Sequence, residues 1–101
     1  MKINKESILT AANELNSEFN KFDRTGRVSK STISSKWRTL KENLFYLYKN
    51  ERRVMREVQK LDKAITDLPS TPTVGDMNNL RGMLARIIDY TDSSSYAGAT
   101  A

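Results

Sequence analysis

The sequence predicts an all-α fold of three helices, in which a long central helix with a heptad pattern carries two shorter helices packed antiparallel along it. Apolar residues recur at spacings of three and four in three separate segments. Capping residues precede these segments, and glycine or proline follows the first two. A length of 101 residues allows one domain. We place this domain at residues 1–90 and an extended low-complexity tail at residues 91–101.

The first predicted helix runs from Lys5 to Phe22. Asn4 is a suitable N-cap, because its side chain can accept a hydrogen bond from an amide of the first turn. Gly26 follows the segment and suits the left-handed conformation that often ends a helix. The apolar residues of this helix fall on one face and comprise Ile8, Ala12, Leu15, Phe19 and Phe22.

The central helix is predicted from Lys30 to Asp67, and Pro69 prevents its continuation. Its core-facing heptad positions form an unbroken series in which ten of eleven residues are apolar. The series comprises Ile33, Trp37, Leu40, Leu44, Leu47, Glu51, Val54, Val58, Leu61, Ile65 and Leu68. Such a helix would be about 57 Å long. The polar residues 49–51 leave open whether it is straight or kinked there.

The third helix is predicted from Val74 to Tyr90. Thr73 and Asp76 have the spacing of a capping box, with Asp in place of the usual Glu. The apolar face of this helix comprises Met77, Leu80, Leu84, Ile87 and Ile88.

Three helices in this arrangement would form two layers around a thin core. We therefore expect the long helix to pair with a second copy or with another protein, and its heptad positions to form a self-association seam. Glu51 is the single polar residue of the seam, where we expect it to fix the register and to be satisfied by basic residues of the partner helix. The seam comprises Trp37, Leu40, Leu44, Leu47, Glu51, Val54, Val58, Leu61 and Ile65.

Aromatic residues outside the seam form a candidate partner patch. Phe45 and Tyr46 lie on the side of the long helix away from the seam, and Tyr48 lies beside the seam. Either another helix covers these rings or they form an interface, since large exposed apolar patches usually mark one. The tail has too few apolar residues to pack alone, and Tyr96 is its candidate contact with a neighbouring molecule.

The positive charge is concentrated in the middle of the chain. Residues 21–63 contain thirteen Lys and Arg against five Asp and Glu, whereas residues 1–20 and 64–101 are mildly acidic. This segment could bind nucleic acid or an acidic neighbouring protein, or its outer face could simply be solvated. The basic residues on the outer face of the long helix are Arg38, Lys49, Arg52, Arg53, Arg56, Lys60 and Lys63.

The residue types present exclude several classes of site. The chain has no His and no Cys, so the usual ligands of structural zinc, haem and iron–sulfur clusters are missing, as are cysteine nucleophiles and Ser-His-Asp triads. We therefore expect no catalytic residues, no metal, no cofactor and no enzymatic activity. The N-terminus lacks the apolar core of a signal peptide, and no apolar stretch approaches the ~20 residues of a membrane span. We expect a cytoplasmic or virion protein with no membrane partner.

These features predict a small structural or adaptor subunit of a larger assembly, with a phage or virus particle as the first hypothesis. It would act through coiled-coil-type packing with copies of itself or with neighbouring subunits. The alternative is a dimeric nucleic-acid-binding regulator that uses the basic face of the long helix. A third hypothesis is a protein inhibitor that contacts a host enzyme through Phe45 and Tyr46.

Overall fold

The structure, a computed structural model, describes residues 3–93 and folds them into four α-helices. The predicted all-α class is confirmed. The prediction of three helices is wrong, because the predicted central helix is divided into two. The four helices are α1 (Lys5–Thr25), α2 (Lys30–Tyr48), α3 (Arg52–Thr66) and α4 (Val74–Ser93).

The helices form an antiparallel bundle with short connections. α1 packs against α2 and α4, and α3 packs against the same two helices. Lys30 at the start of α2 donates to the carbonyl of Thr66 at the end of α3, at 3.3 Å. Lys5 at the start of α1 donates to the carbonyl of Asp92 near the end of α4, at 2.7 Å. Consecutive helices therefore run in opposite directions, as in an up-down-up-down four-helix bundle.

The predicted central helix breaks at residues 49–51, which we call the α2–α3 turn. Lys49 still has helical dihedral angles (φ −56°, ψ −26°), whereas Glu51 is extended (φ −95°, ψ 103°). The amide of Glu51 donates to the carbonyl of Tyr48 at 2.8 Å and closes the turn. All three residues of the turn are polar, so the reversal costs no apolar burial and lets the two halves of the heptad series face each other.

The predicted self-association seam is closed within a single chain. Its members are buried in one core together with the apolar faces of α1 and α4, except that Leu47 and Glu51 are half-buried. The seam was predicted to face a second copy because two layers would give too thin a core. Because α3 folds back onto α2, four helices enclose the core instead of three. In this fold the buried residues of the seam therefore present no surface to a partner.

The helix ends follow the predicted capping chemistry. The Asn4 side chain accepts from the amide of Ser7 at 2.9 Å, and Gly26 has the left-handed conformation (φ 69°) expected of a C-cap glycine. Thr73 and Asp76 exchange hydrogen bonds of 2.9 and 3.1 Å. α4 continues three residues beyond its predicted end, so residues 91–93 are helical instead of belonging to the tail. The rest of the predicted tail lies outside the described residues.

Candidate binding surface

The α2–α3 hairpin, residues 30–66, is tied together by one acidic side chain. Asp62 of α3 accepts from the indole nitrogen of Trp37 at 2.8 Å and from Lys41 Nζ at 2.9 Å. Both donors lie on α2, so the contact fixes the register of the two helices. Sequence analysis missed this tie, although a buried tryptophan usually needs an acceptor for its N–H. The acceptor lies 25 residues away, and no local pattern indicates it.

These hydrogen bonds also set the protonation of Asp62. The hydrogen bond from Trp37, followed by that from Lys41, lowers the pKa of the Asp62 carboxyl below 3.8, against a smaller opposing effect of burial. A carboxylate that accepts hydrogen bonds is favoured over its protonated form. Asp62 is therefore ionised at neutral pH, and its charge neutralises that of Lys41.

Two large aromatic side chains are exposed on α2, and we call them the aromatic patch. Phe45 is 57% exposed and Tyr46 is 68% exposed. Successive residues of an α-helix are rotated by about 100° around the helix axis. Phe45 and Tyr46 directly follow the buried Leu44 and therefore lie on other faces of α2. An open pocket of about 910 Å³ lies against the patch, and its described lining is Lys41, Glu42, Phe45, Tyr46 and Lys49.

The two other predicted members of the partner patch do not join these rings. Tyr48 is only 1% exposed and belongs to the core, so its assignment to the patch is wrong. In the predicted long helix Tyr48 lay beside the seam. In the bundle, α3 and its neighbours enclose that position. Tyr96 lies outside the described residues.

All seven basic residues predicted for the outer face are exposed. Lys60 lies 3.4 Å from Glu57, and Lys63 lies 3.1 Å from Asp67. Within residues 3–93 the other five have no ion-pair partner. These five, which we call the unpaired cations, are Arg38, Lys49, Arg52, Arg53 and Arg56.

The fold brings most of the unpaired cations to the end of the bundle at which the aromatic patch also lies. The α2–α3 turn places the last turn of α2 opposite the first turn of α3. Phe45 and Lys49 therefore approach the level of Arg52 and Arg56. The hairpin as a whole carries ten basic and four acidic residues. This surface combines π-faces and positive charge, which suits an anionic partner with an apolar or planar component.

The first turn of α3 adds to the positive potential. The N-terminus of a helix carries a partial positive charge, which an acidic residue or a capping side chain usually offsets. α3 has no acidic residue in its first turn and no side-chain cap, and Arg52 and Arg53 occupy the turn instead. Glu51, the residue placed to act as the cap, accepts a hydrogen bond from Tyr90 of α4 at 3.3 Å.

Within the single chain, Glu51 has a partner that the sequence did not predict. It is half-buried at the α2–α3 turn, and its partner is a tyrosine of the same chain instead of basic residues of another copy. The sequence correctly singled out Glu51 as the exception in the heptad series. The reason for the exception is the chain reversal.

The described residues were also compared with the requirements of a metal site and of a membrane-spanning helix. Within residues 3–93, no three acidic side chains cluster in a way that could hold a metal ion. No helix in the same range is long and apolar enough to span a bilayer. Comparison of the chain with protein-family models, with curated proteins and with solved structures finds no significant match.

Proposed function

We propose that this chain is a non-enzymatic structural or adaptor subunit of a larger assembly, such as a phage or virus particle. The observation that carries the proposal is the exposure of Phe45 and Tyr46 (57% and 68%) on a bundle whose core is closed without them. Burying large aromatic rings is a main source of binding energy at protein interfaces. Their exposure beside a complete core supports a partner that covers them.

The charges around the aromatic patch favour an acidic partner protein. Arginine forks bind carboxylates through two parallel hydrogen bonds, and Arg52 and Arg56 have no carboxylate partner among the described residues. Tyr and Arg are also enriched at interfaces relative to the rest of protein surfaces. We propose that the neighbouring subunit offers an acidic segment with an apolar side chain that packs on Phe45.

The proposed contact uses the outside of the α2–α3 hairpin. The mechanism predicted from the sequence, coiled-coil packing through the heptad seam, would need residues such as Leu40 and Leu44, which lie in the core. The absence of His and Cys from the chain supports a binding role over a catalytic one.

Replacement of the aromatic patch tests this proposal. In the cells or particles that contain the chain, the wild type should sediment with a large complex. The double variant F45S/Y46S should sediment at its own mass of 11.5 kDa, with an unchanged helical circular dichroism spectrum. V74S is the matched control, because Val74 is an equally exposed apolar residue (64%) at the other end of the bundle. Equal incorporation of both variants would contradict the proposal.

A second candidate function is nucleic-acid binding by the same surface. The observation that favours it is the group of five unpaired cations, because solvated arginines can bind phosphates without first breaking an ion pair. Bases could stack on Phe45 or Tyr46. The dimer that this function was predicted to require is not supplied by the seam in the monomeric bundle.

Salt dependence separates this function from the first. Binding of a labelled DNA duplex should weaken by roughly 0.9 log unit per phosphate contact for each log unit of salt. The variant R52E/R53E should abolish it. K63E is the control, because Lys63 is already paired with Asp67. Binding that is absent at low salt, or that R52E/R53E leaves unchanged, would exclude this function.

A further inference from the structure

The α2–α3 turn lies inside a heptad series that continues without a shift on both sides. Leu44 before the turn and Val54 after it are both buried, and the spacings between them, through Leu47 and Glu51, continue the alternation of three and four residues. A chain reversal usually disrupts such a repeat. Here the sequence is equally compatible with one continuous helix, because every residue of the heptad series would remain on a single face.

The turn also lacks the residues that stop a helix. It consists of Lys49, Asn50 and Glu51, without Gly or Pro, and no non-glycine residue among those described has a positive φ. Lys49 is already helical, whereas Glu51 would have to leave its extended conformation for the helix to continue. The other two connections differ, because one contains Gly26 in a left-handed conformation and the other contains Pro69 and Pro72.

Few interactions hold the turn closed. Glu51 makes no side-chain cap to α3, and its carboxylate accepts one hydrogen bond among the described residues, from the Tyr90 hydroxyl at 3.3 Å. The first amides of α3 and the last carbonyls of α2 lack helical partners in the bundle. A continuous helix would pair these groups with one another and would remove the unfavourable placement of Arg52 and Arg53 at a helix N-terminus.

We propose that the chain opens at the α2–α3 turn and forms a domain-swapped dimer with a second copy of itself. Residues 30–66 would become one helix of about 55 Å. The α1 and α2 helices of one copy would pack against the α3 and α4 helices of the other. Each half of the dimer then reproduces the monomeric bundle. The predicted self-association seam would thereby operate between copies.

The exchange of helices between two copies requires no helix–helix contact that the monomer does not already make. Of the four helix pairs that pack in the bundle, α1 with α2 and α3 with α4 are formed by neighbours that stay on the same side of the turn. The pairs α2 with α3 and α1 with α4 would form between copies. Since the same core is buried in both states, concentration and the conformation of the turn decide between them.

Two single substitutions act on the turn in opposite directions. E51L completes the apolar heptad series and removes the hydrogen bond to Tyr90, so it favours the continuous helix. R52P places proline at the first position of α3, where its fixed φ and missing N–H are tolerated. Glu51 already has the extended conformation that a residue before proline prefers. The same proline would break a continuous helix, so R52P favours the monomeric bundle.

The test is the molar mass after refolding from denaturant, measured by light scattering on the full chain. Refolded in dilute solution, the wild type should be a monomer of 11.5 kDa. Refolded in concentrated solution, it should yield a fraction with twice that mass. E51L should be dimeric in both conditions and R52P monomeric in both, each with a helical circular dichroism spectrum. A wild type that stays monomeric after concentrated refolding overturns the proposal, as does an R52P variant that dimerises like the wild type.

Crosslinking distinguishes a swapped dimer from one formed through the aromatic patch. The chain has no cysteine, so K30C/T66C introduces one reactive pair across α2 and α3, where Lys30 Nζ and the Thr66 carbonyl are 3.3 Å apart. A short bis-maleimide should link two chains in the dimer fraction and one chain internally in the monomer fraction. Internal links in the dimer fraction overturn the proposal. These results do not depend on F45S/Y46S, so this inference and the proposed function can fail separately.

Discussion

The α1–α4 pair and the α2–α3 hairpin differ in how their helices begin and in how far their aromatic rings are exposed. On α1 and α4, Arg81 donates to the carbonyl of Phe19 and to the carboxylate of Asp23, and capping boxes begin both helices. The hairpin has an uncapped helix start, unpaired arginines and exposed aromatic rings.

We infer from this difference that one region serves mainly stability and the other mainly binding. Natural sequences depart from locally favourable choices mainly at functional sites. We propose that the α1–α4 pair, which follows these choices, mainly stabilises the fold, and that the hairpin, which departs from them at the start of α3 and at its exposed rings, serves binding. Substitutions in the first region should therefore change stability, and substitutions in the second should change binding at little or no cost in stability.

The largest expected effect on stability comes from a comparison of Arg81 on α4 with Arg56 on the hairpin. R81A should lower the free energy of unfolding by about 1–3 kcal/mol, because it removes two hydrogen bonds that join α4 to α1. R56A, on the hairpin, should change it by less than about 0.5 kcal/mol. Urea unfolding followed by circular dichroism measures both. Equal effects would contradict the proposed division.

The next effect concerns Asp62, whose pKa is lowered by the hydrogen bonds from Trp37 and Lys41. A lowered folded-state pKa contributes stability that is fully present above pH 3.8 and is lost as the pH falls through the folded-state value. D62N should remove this pH dependence and cost about 1 kcal/mol at pH 7, because an amide accepts a weaker hydrogen bond from Trp37. Trp37 is the only tryptophan, so its fluorescence reports unfolding directly.

Asp67 supplies the matched control for Asp62. It lies 3.1 Å from Lys63, but both side chains are well exposed, and exposed ion pairs contribute little. D67N should therefore leave the stability at pH 7 nearly unchanged. A D62N variant that titrates like the wild type would show that the Trp37–Asp62 contact does not join the two helices in solution.

The smallest effect on stability has the opposite sign. R53E places an acidic side chain in the first turn of α3, and should raise the free energy of unfolding by about 0.3–1 kcal/mol. It should also weaken the binding of an anionic partner. N4A, at the capped start of α1, should instead cost about 1 kcal/mol. If R53E instead lowers the free energy of unfolding, the basic first turn of α3 is not unfavourable for stability. In that case α3 does not give up stability for binding.

The sequence predicted the helices and most of the core, because both follow from local spacing. Ile8, Leu15 and Leu84 were placed correctly by periodicity alone. The chain reversal at Glu51 could not be predicted, because the heptad series gives the same signal for a straight helix and for two helices that fold together. For Tyr48 the sequence left two outcomes open, cover by another helix or exposure at an interface, and the structure buries this ring in the core.

The candidate surface was predicted in its composition but not in its shape. The positions of the basic residues around α2 and α3 are local properties of each helix, and all seven are exposed as predicted. Their approach to Phe45 depends on the reversal, as does the contact between Glu51 and Tyr90. Pairings between residues far apart in sequence leave no periodic pattern.

The central claim is that the α2–α3 hairpin binds and the α1–α4 pair supports it. The most direct test is a ¹⁵N–¹H correlation spectrum of the full chain, titrated separately with a poly-glutamate peptide and with a short DNA duplex. The account predicts chemical-shift changes from Arg38 to Arg56 with at least one of the two probes, and none on the outer faces of α1 and α4. Changes centred on α1 and α4, or no change with either probe at low salt, would contradict it.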